Sequence, residues 1–190
     1  MEPPPSDERL LLARAAAGGG EGDRAFHELY ERHKRPVFGF LVRLLRDEPL
    51  AEDVLQEAFL RVYRALDQYD PERSFRGWVF QIARNAALDA LRLARKEEKL
   101  REASAKRLEG AGEGEVVVPE VARLESGERT REALDSLPAD ARALLLQRHG
   151  LGMSIAELAE SWSVTERTVA NRLKGAVALL AKALLAKGGR

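Results

Sequence analysis

The chain has 190 residues, of which 45% are hydrophobic, 6% aromatic and a third charged, with a formal net charge of zero and no cysteine. That length holds one large domain or two small ones, and the apolar fraction excludes a chain that is disordered throughout. Disulfides and thiolate metal sites are excluded, which fits a reducing compartment, and any nucleic-acid partner has to be argued from local rather than total charge. No apolar run approaches the roughly 20 residues that span a bilayer. The start, MEPPPSDERL, is acidic and proline-rich, unlike the basic start of a signal peptide. The expectation is a cytoplasmic protein with no membrane insertion. Long alternating Val/Ile/Thr runs are absent, so the expected fold class is all-α.

Residues 7–17 are predicted to form a short helix starting near Ser6, ended by the GGGEG run at 18–22. From Asp23 onward, Phe26, Tyr30, Val37, Leu41 and Leu44 fall close to one stripe at helical spacing, with Pro36 expected to kink or split that helix. DEP at 47–49 is a helix-start signal, with acids beside the positive end of the helix dipole and proline near the first helical position. That helix is expected to run to about Leu66, and DQYDPERS at 67–74 has turn chemistry. Phe75, Val79, Ile82, Ala86 and Leu91 then predict a helix to about Arg95.

Residues 96–128 are charged, glycine-interrupted and poor in large apolar side chains, the composition of a flexible linker. From about Arg129 a second run holds three or four short helices punctuated by Pro138, Gly150 and Gly152. The expected organisation is therefore an N-terminal extension (1–22), a helical domain (23–95), a linker (96–128) and a second small helical domain (129–190). Net charge is +2 for 24–95 and +4 for 129–190, against −3 for each of 1–23 and 96–128. Positive compact units with acidic connections have the sign expected of units that meet phosphate backbones.

A helix over 155–162 and another from Thr165 leave a turn of about two residues, so the two must cross steeply. Ile155, Leu158, Ala159, Val169 and Leu173 then face inward, small Ala159 allowing close approach. This is a helix-turn-helix pattern, whose second helix enters the DNA major groove. Arg167, Thr168, Asn171, Arg172 and Lys174 are left facing out. Arg167 suits guanine and Asn171 adenine, while Arg172 and Lys174 suit phosphates. Thr165 is expected to cap the helix, and Ser163 stands where glycine would turn more easily. The same fragment also fits an ordinary helical hairpin with a solvated polar face.

The fragment does not stand alone. AEDVLQEAFLRVYRAL at 51–66, FRGWVFQIARNAALDALR at 75–92, the Leu137–Pro138 step and the TVANRL ending together resemble the extracytoplasmic-function (ECF) group of bacterial RNA polymerase sigma factors. The resemblance implies a chain that binds core RNA polymerase and directs it to promoter DNA. On the 51–66 helix, Leu55, Phe59, Val62 and Leu66 form an inward stripe, while Asp53, Gln56, Glu57 and Leu60 lie off it. By the resemblance these four are the candidate polymerase contacts; the alternative is a solvated acidic face supported by a Glu57–Arg61 pair. The resemblance also makes 67–85 a reader of the −10 element, with Tyr69 as a stacking face and Arg73, Ser74, Arg76, Gln81, Arg84 and Asn85 as donors to bases and phosphates. Trp78 and Phe80 are expected in or near the core. Residues 165–174 would read the −35 element through Thr165, Arg167, Thr168, Asn171, Arg172 and Lys174.

Two basic runs common in the family are reduced: LRLARKEEK is diluted by Glu97 and Glu98, and Ala176, Val177 and Ala178 stand where a basic patch is expected. The apolar AVALLAKALL stretch could instead cover the other domain or a partner, which by the resemblance would be an anti-sigma factor. A degenerate sigma-like regulator that binds polymerase without opening promoters, and a two-domain helix-turn-helix repressor, remain as alternatives. An enzyme needs a catalytic constellation, and His27, His33 and His149 lack metal-ligand spacing, with no glycine-rich phosphate loop beside them. No catalytic residue, metal or cofactor is expected.

Overall fold

The computed structural model describes residues 6–71, 73–108 and 125–187, and among these every regular element is helical. The order is α1 (Ser6–Ala17), α2 (Gly19–Leu45), α3 (Glu48–Arg64), a 3-10 turn (Leu66–Gln68), α4 (Phe75–Leu108), α5 (Glu125–Asp135), α6 (Ala139–Leu145), a π-helical turn (Leu146–Gly150), α7 (Ile155–Ser161) and α8 (Glu166–Lys187). The all-α expectation holds, with a helix-turn-helix at the C-terminal end. Residues 109–124, the middle of the expected linker, lie outside the described residues; 96–108 continue α4 and 125–128 begin α5.

The glycine run after α1 reverses the chain rather than loosening it. Gly18 (φ 71°) and Gly19 (φ 73°) take left-handed conformations open to glycine, and Gly20 and Gly22 already belong to α2. Gly22 is buried because α1 passes close by: a Cβ there would lie 3.1 Å from the Arg14 carbonyl oxygen. Leu11, Leu12 and Ala15 of α1 are buried in the same core as α2. Two contacts pin its far end, the Asp7–Arg32 ion pair and a hydrogen bond between the Glu8 carboxylate and His33 Nε2, each at 2.8 Å.

Pro36 does not split α2, which runs unbroken from Gly19 to Leu45. Proline removes one backbone hydrogen bond at a cost of about 3 kcal/mol. Here it sits on the solvent side, where water can satisfy the released carbonyl, while Leu29 on one side of it and Val37, Phe40, Leu41 and Leu44 on the other are buried in one core. α3 starts as expected: the Asp47 carboxylate accepts from the Leu50 N–H at 2.9 Å, and proline occupies the first turn. Its inward face, Val54, Leu55, Ala58, Phe59 and Val62, packs between α2 and α4, and Phe80 of α4 meets Phe40 edge to face at 5.6 Å between ring centroids.

The C-terminal helices close on this bundle. Ala143, Leu144, Met153, Leu158, Ala159 and Val169 belong to the same buried cluster as the residues of α2 to α4. A smaller cluster of Leu137, Leu145 and Ala176 holds α6 to α8.

Candidate polymerase and nucleic-acid interfaces

Three surfaces carry the side chains singled out from the sequence. On α3, Asp53, Gln56 and Leu60 are exposed, Leu60 at 48%, and Glu57 is half-buried. Arg61 donates to the Glu57 carboxylate at 2.7 Å, the within-helix pair that also fits a merely solvated face. An exposed leucine among acids and an amide offers a partner an apolar anchor inside a polar rim.

The second surface begins in the turn before α4. Tyr69 is not a free stacking platform: its ring packs against Phe75 and Trp78, with centroids 5.5 and 5.0 Å away, and its hydroxyl donates to the Arg73 carbonyl at 2.5 Å. Burial pushes the phenol's pKa up, helped by the charge of Glu8. Ser74 caps α4, its hydroxyl accepting from the Gly77 N–H at 3.1 Å. The Arg73 and Asn85 side chains are exposed; Phe80 is fully buried and Trp78 half-buried.

The remaining three residues of this surface reach the C-terminal unit. Arg76 donates to the Leu151 carbonyl at 2.5 Å and lies 3.9 Å from the Glu157 carboxylate. The Gln81 amide donates to the Ser163 hydroxyl at 3.3 Å. Arg84, only 5% exposed, lies over the Trp162 ring at 4.1 Å and donates to the Asn85 side-chain oxygen at 2.9 Å; its contact with the Ser161 hydroxyl is long, at 3.5 Å. Its Nε has no hydrogen-bond partner among the described residues. Burial lowers the Arg84 pKa to about 10; Asp140 opposes that shift and the Arg172 cation adds to it. A buried guanidinium without a carboxylate loses several kcal/mol of hydration. A desolvated cation–π contact returns about 2 kcal/mol.

The third surface is the helix-turn-helix. Ser154 caps α7 in a reciprocal box with Glu157, the two hydrogen bonds measuring 3.1 and 2.7 Å. Thr165 caps α8, its hydroxyl accepting from the Thr168 N–H at 3.2 Å. Between them Ser163 adopts the left-handed conformation, φ 51°, that glycine would take more readily. Leu158, Ala159 and Val169 are buried and Ile155 and Leu173 half-buried, as the inward stripe requires. Arg167, Asn171, Arg172 and Lys174 are exposed and Thr168 half-exposed. Arg172 also lies 5.8 Å from the Trp162 ring, so two cations share one indole. The Trp162 N–H donates to the buried Gln147 side chain at 2.7 Å, which the π-helical turn places.

Sequence reading missed two features. Trp162 received no role, although it is the hinge of the contact with Arg84. The basic run after residue 91 is diluted only when read linearly: Arg92, Arg95, Lys96 and Lys99 line one recess on α4, and their spacing of three, four and seven residues puts them on one face with Glu97 and Glu98 turned away. A helical projection of that segment would have revealed the stripe. Among the described residues no group of acids and histidines could hold a metal ion, and no helix is long and apolar enough to cross a membrane.

The elements define an all-helical protein with a helix-turn-helix packed on a helical bundle. Residues 29–97 match the family model of sigma-70 region 2, and residues 127–180 that of sigma-70 region 4. The chain is 50% identical over 68 residues to the RNA polymerase sigma factor CarQ of Myxococcus xanthus, a match spanning 36% of this chain and 39% of that protein. It is 32% identical over 164 residues to the ECF RNA polymerase sigma factor SigM of Mycobacterium tuberculosis, covering 86% of this chain and 79% of that one. The solved structure of CnrH in complex with the cytosolic domain of CnrY superposes with a TM-score of 0.66 at 28% identity, over 94% of this chain and 97% of that one. The fold is also shared with the sigma factor RpoE, in complex with the anti-sigma factor NepR, from Bartonella quintana, at a TM-score of 0.59 and 19% identity over 87% and 98% of the two chains. The chain belongs to the ECF group of RNA polymerase sigma factors.

Proposed function

We propose that this chain binds core RNA polymerase and directs promoter-specific transcription initiation in the cytoplasm, performing no catalysis itself. The observation that carries the reading is the recognition helix α8: capped by Thr165 and buried through Val169, it presents Arg167, Asn171, Arg172 and Lys174 outward, donors matched to base edges and phosphates. In this reading residues 129–190 read the −35 element. Residues 23–95 dock on polymerase through Asp53, Gln56, Glu57 and Leu60 and take the −10 element through Tyr69, Arg73, Ser74, Arg76, Gln81, Arg84 and Asn85. With its ring packed away, Tyr69 serves by shaping the turn that presents Arg73. The stripe of Arg92, Arg95, Lys96 and Lys99 adds a track for phosphates beside that surface. The CnrH structure, 28% identical to this chain, is a complex with the cytosolic domain of CnrY, which supports a protein partner here, read as an anti-sigma factor.

The test is run-off transcription from a genomic fragment library with core polymerase, with and without the chain, sequencing transcript starts. New starts sharing two spaced upstream elements are expected. Polymerase binding with no new starts would replace this reading by that of a sigma-like competitor.

A further inference from the structure

Trp162 is fixed at both ends. Its backbone N–H donates to the Leu158 carbonyl at 2.9 Å where α7 stops, and its indole N–H donates to the Gln147 side-chain oxygen at 2.7 Å. Gln147 is itself held: it is fully buried in the π-helical turn, and its backbone carbonyl accepts from the Met153 N–H at 3.1 Å. The other end of its amide, Nε2, has no hydrogen-bond partner among the described residues. An apolar side chain would fill that interior without an unfilled donor, so what the glutamine adds is an acceptor that sets the angle of the indole. Among the described residues, Arg172 is the outward cation of α8 that meets this ring, 5.8 Å from its centre, and it stays exposed. No carboxylate among those residues forms an ion pair with Arg172. A ring steadies a cation and leaves its N–H donors open, whereas a carboxylate would occupy them and cancel the charge.

We propose that Trp162 is a positioning residue for duplex recognition: oriented by Gln147, it holds the Arg172 guanidinium ready for a phosphate of the −35 element. The inference rests on the −35 reading of α8 and gives that helix a determinant outside itself. An exposed arginine samples many rotamers, and ordering it against a ring beforehand lowers the entropy lost when it meets a fixed phosphate. Gln147, Trp162 and Arg172 all belong to 129–190, so the arrangement travels with the helix-turn-helix. Arg84 reaches the same ring from α4, and like charges repel, so the indole rather than Arg84 keeps Arg172 in place.

The test is a double-mutant cycle in the full chain assembled with core polymerase, on a duplex carrying the upstream element of a start site found by run-off transcription. Affinity is measured over a salt series for the parent chain, Trp162→Leu, Arg172→Ala and the two combined. Trp162→Leu is expected to weaken binding about threefold. Arg172→Ala is expected to weaken it about tenfold and to lower the salt slope by about one. The combined variant is expected to match Arg172→Ala alone, because a positioning ring without its cation has nothing to place. Any effect of uncovering Arg84 is common to both backgrounds and cancels. Should Trp162→Leu melt early, the cycle is closed with Trp162→Phe, which keeps a ring face but gives Gln147 no N–H; its loss is expected to be smaller and to vanish in the Arg172→Ala background. Losses that simply add, or a Trp162→Leu chain that binds as the parent does, would overturn the proposal while leaving the −35 reading intact. Arg172→Ala with unchanged affinity and slope would remove the phosphate contact itself, and the absence of any start site would sink the sigma reading; the proposal falls with either.

Discussion

The outer face of α3 and the N-terminal half of α4 belong to one small bundle and share one core, yet they meet the outside differently. On α3, Asp53, Gln56 and Leu60 point into solvent, with Glu57 tied only to Arg61 of the same helix. On α4, Arg76, Gln81 and Arg84 are bound to residues 75 to 82 positions further along the chain. The first face is ready for a partner and the second is engaged. Where a side chain sits on a helix therefore decides its chemistry but not its availability.

Removing the floor beneath both faces has the largest expected effect. Phe80→Ala empties a fully buried site against Phe40; a loss of roughly 3–5 kcal/mol in denaturant titration is expected, disabling polymerase binding and base capture together. Separating the faces comes next. Gln56→Ala with Leu60→Ala is expected to weaken binding to core polymerase roughly thirtyfold, the scale of an interface hot spot, with the melting temperature unchanged; retained affinity would show α3 to be a solvated face.

A smaller and less intuitive effect is expected at the covered face. Arg84→Met keeps the length of the side chain and removes a buried cation that lacks a carboxylate, so stability should rise by about 1 kcal/mol. In a thermal melt that is a gain of about 2–4 °C. A fall instead would show that the indole contact outweighs lost hydration. The smallest effect concerns α1. Arg32 holds the Asp7 carboxyl below its usual range, so this pin is in place above the ordinary value of 3.8 and is lost as pH falls through the lowered one. Proteolysis within α1 should accelerate below about pH 4, while the Arg84 stack, whose cation does not titrate there, persists.

Much of this was legible locally. The helix start at 47–49, the Thr165 cap and the inward stripe of Ile155, Leu158, Ala159, Val169 and Leu173 are short-range patterns, and short-range rules decide them. Pro36 does not split α2, because packing on both sides of it outweighs one lost hydrogen bond. α4 runs to Leu108, past the expected end near Arg95, because 96–108 need no apolar face when the helix is already nucleated by a buried half. The polar row between α4 and α7 could not be read at all: Gln81 and Ser163 have no shared period, and a polar residue due to meet protein looks like one due to meet DNA. Tyr69 failed for the same reason, since an aromatic ring in a turn reads alike whether it stacks on a base or on Phe75 and Trp78.

The unfilled Nε of Arg84 bears on thermodynamic linkage. Packing against α7 leaves this guanidinium short of partners, and parting the two units would return it to water, which lowers the cost of parting them. With that cost lowered, a ligand that prefers the parted units would need only modest selectivity to shift the balance. Linkage is reciprocal, so whatever factor polymerase contributes to promoter affinity, promoter DNA contributes equally to holding the chain on polymerase. A poorly satisfied arginine would thus lower the selectivity that either ligand needs.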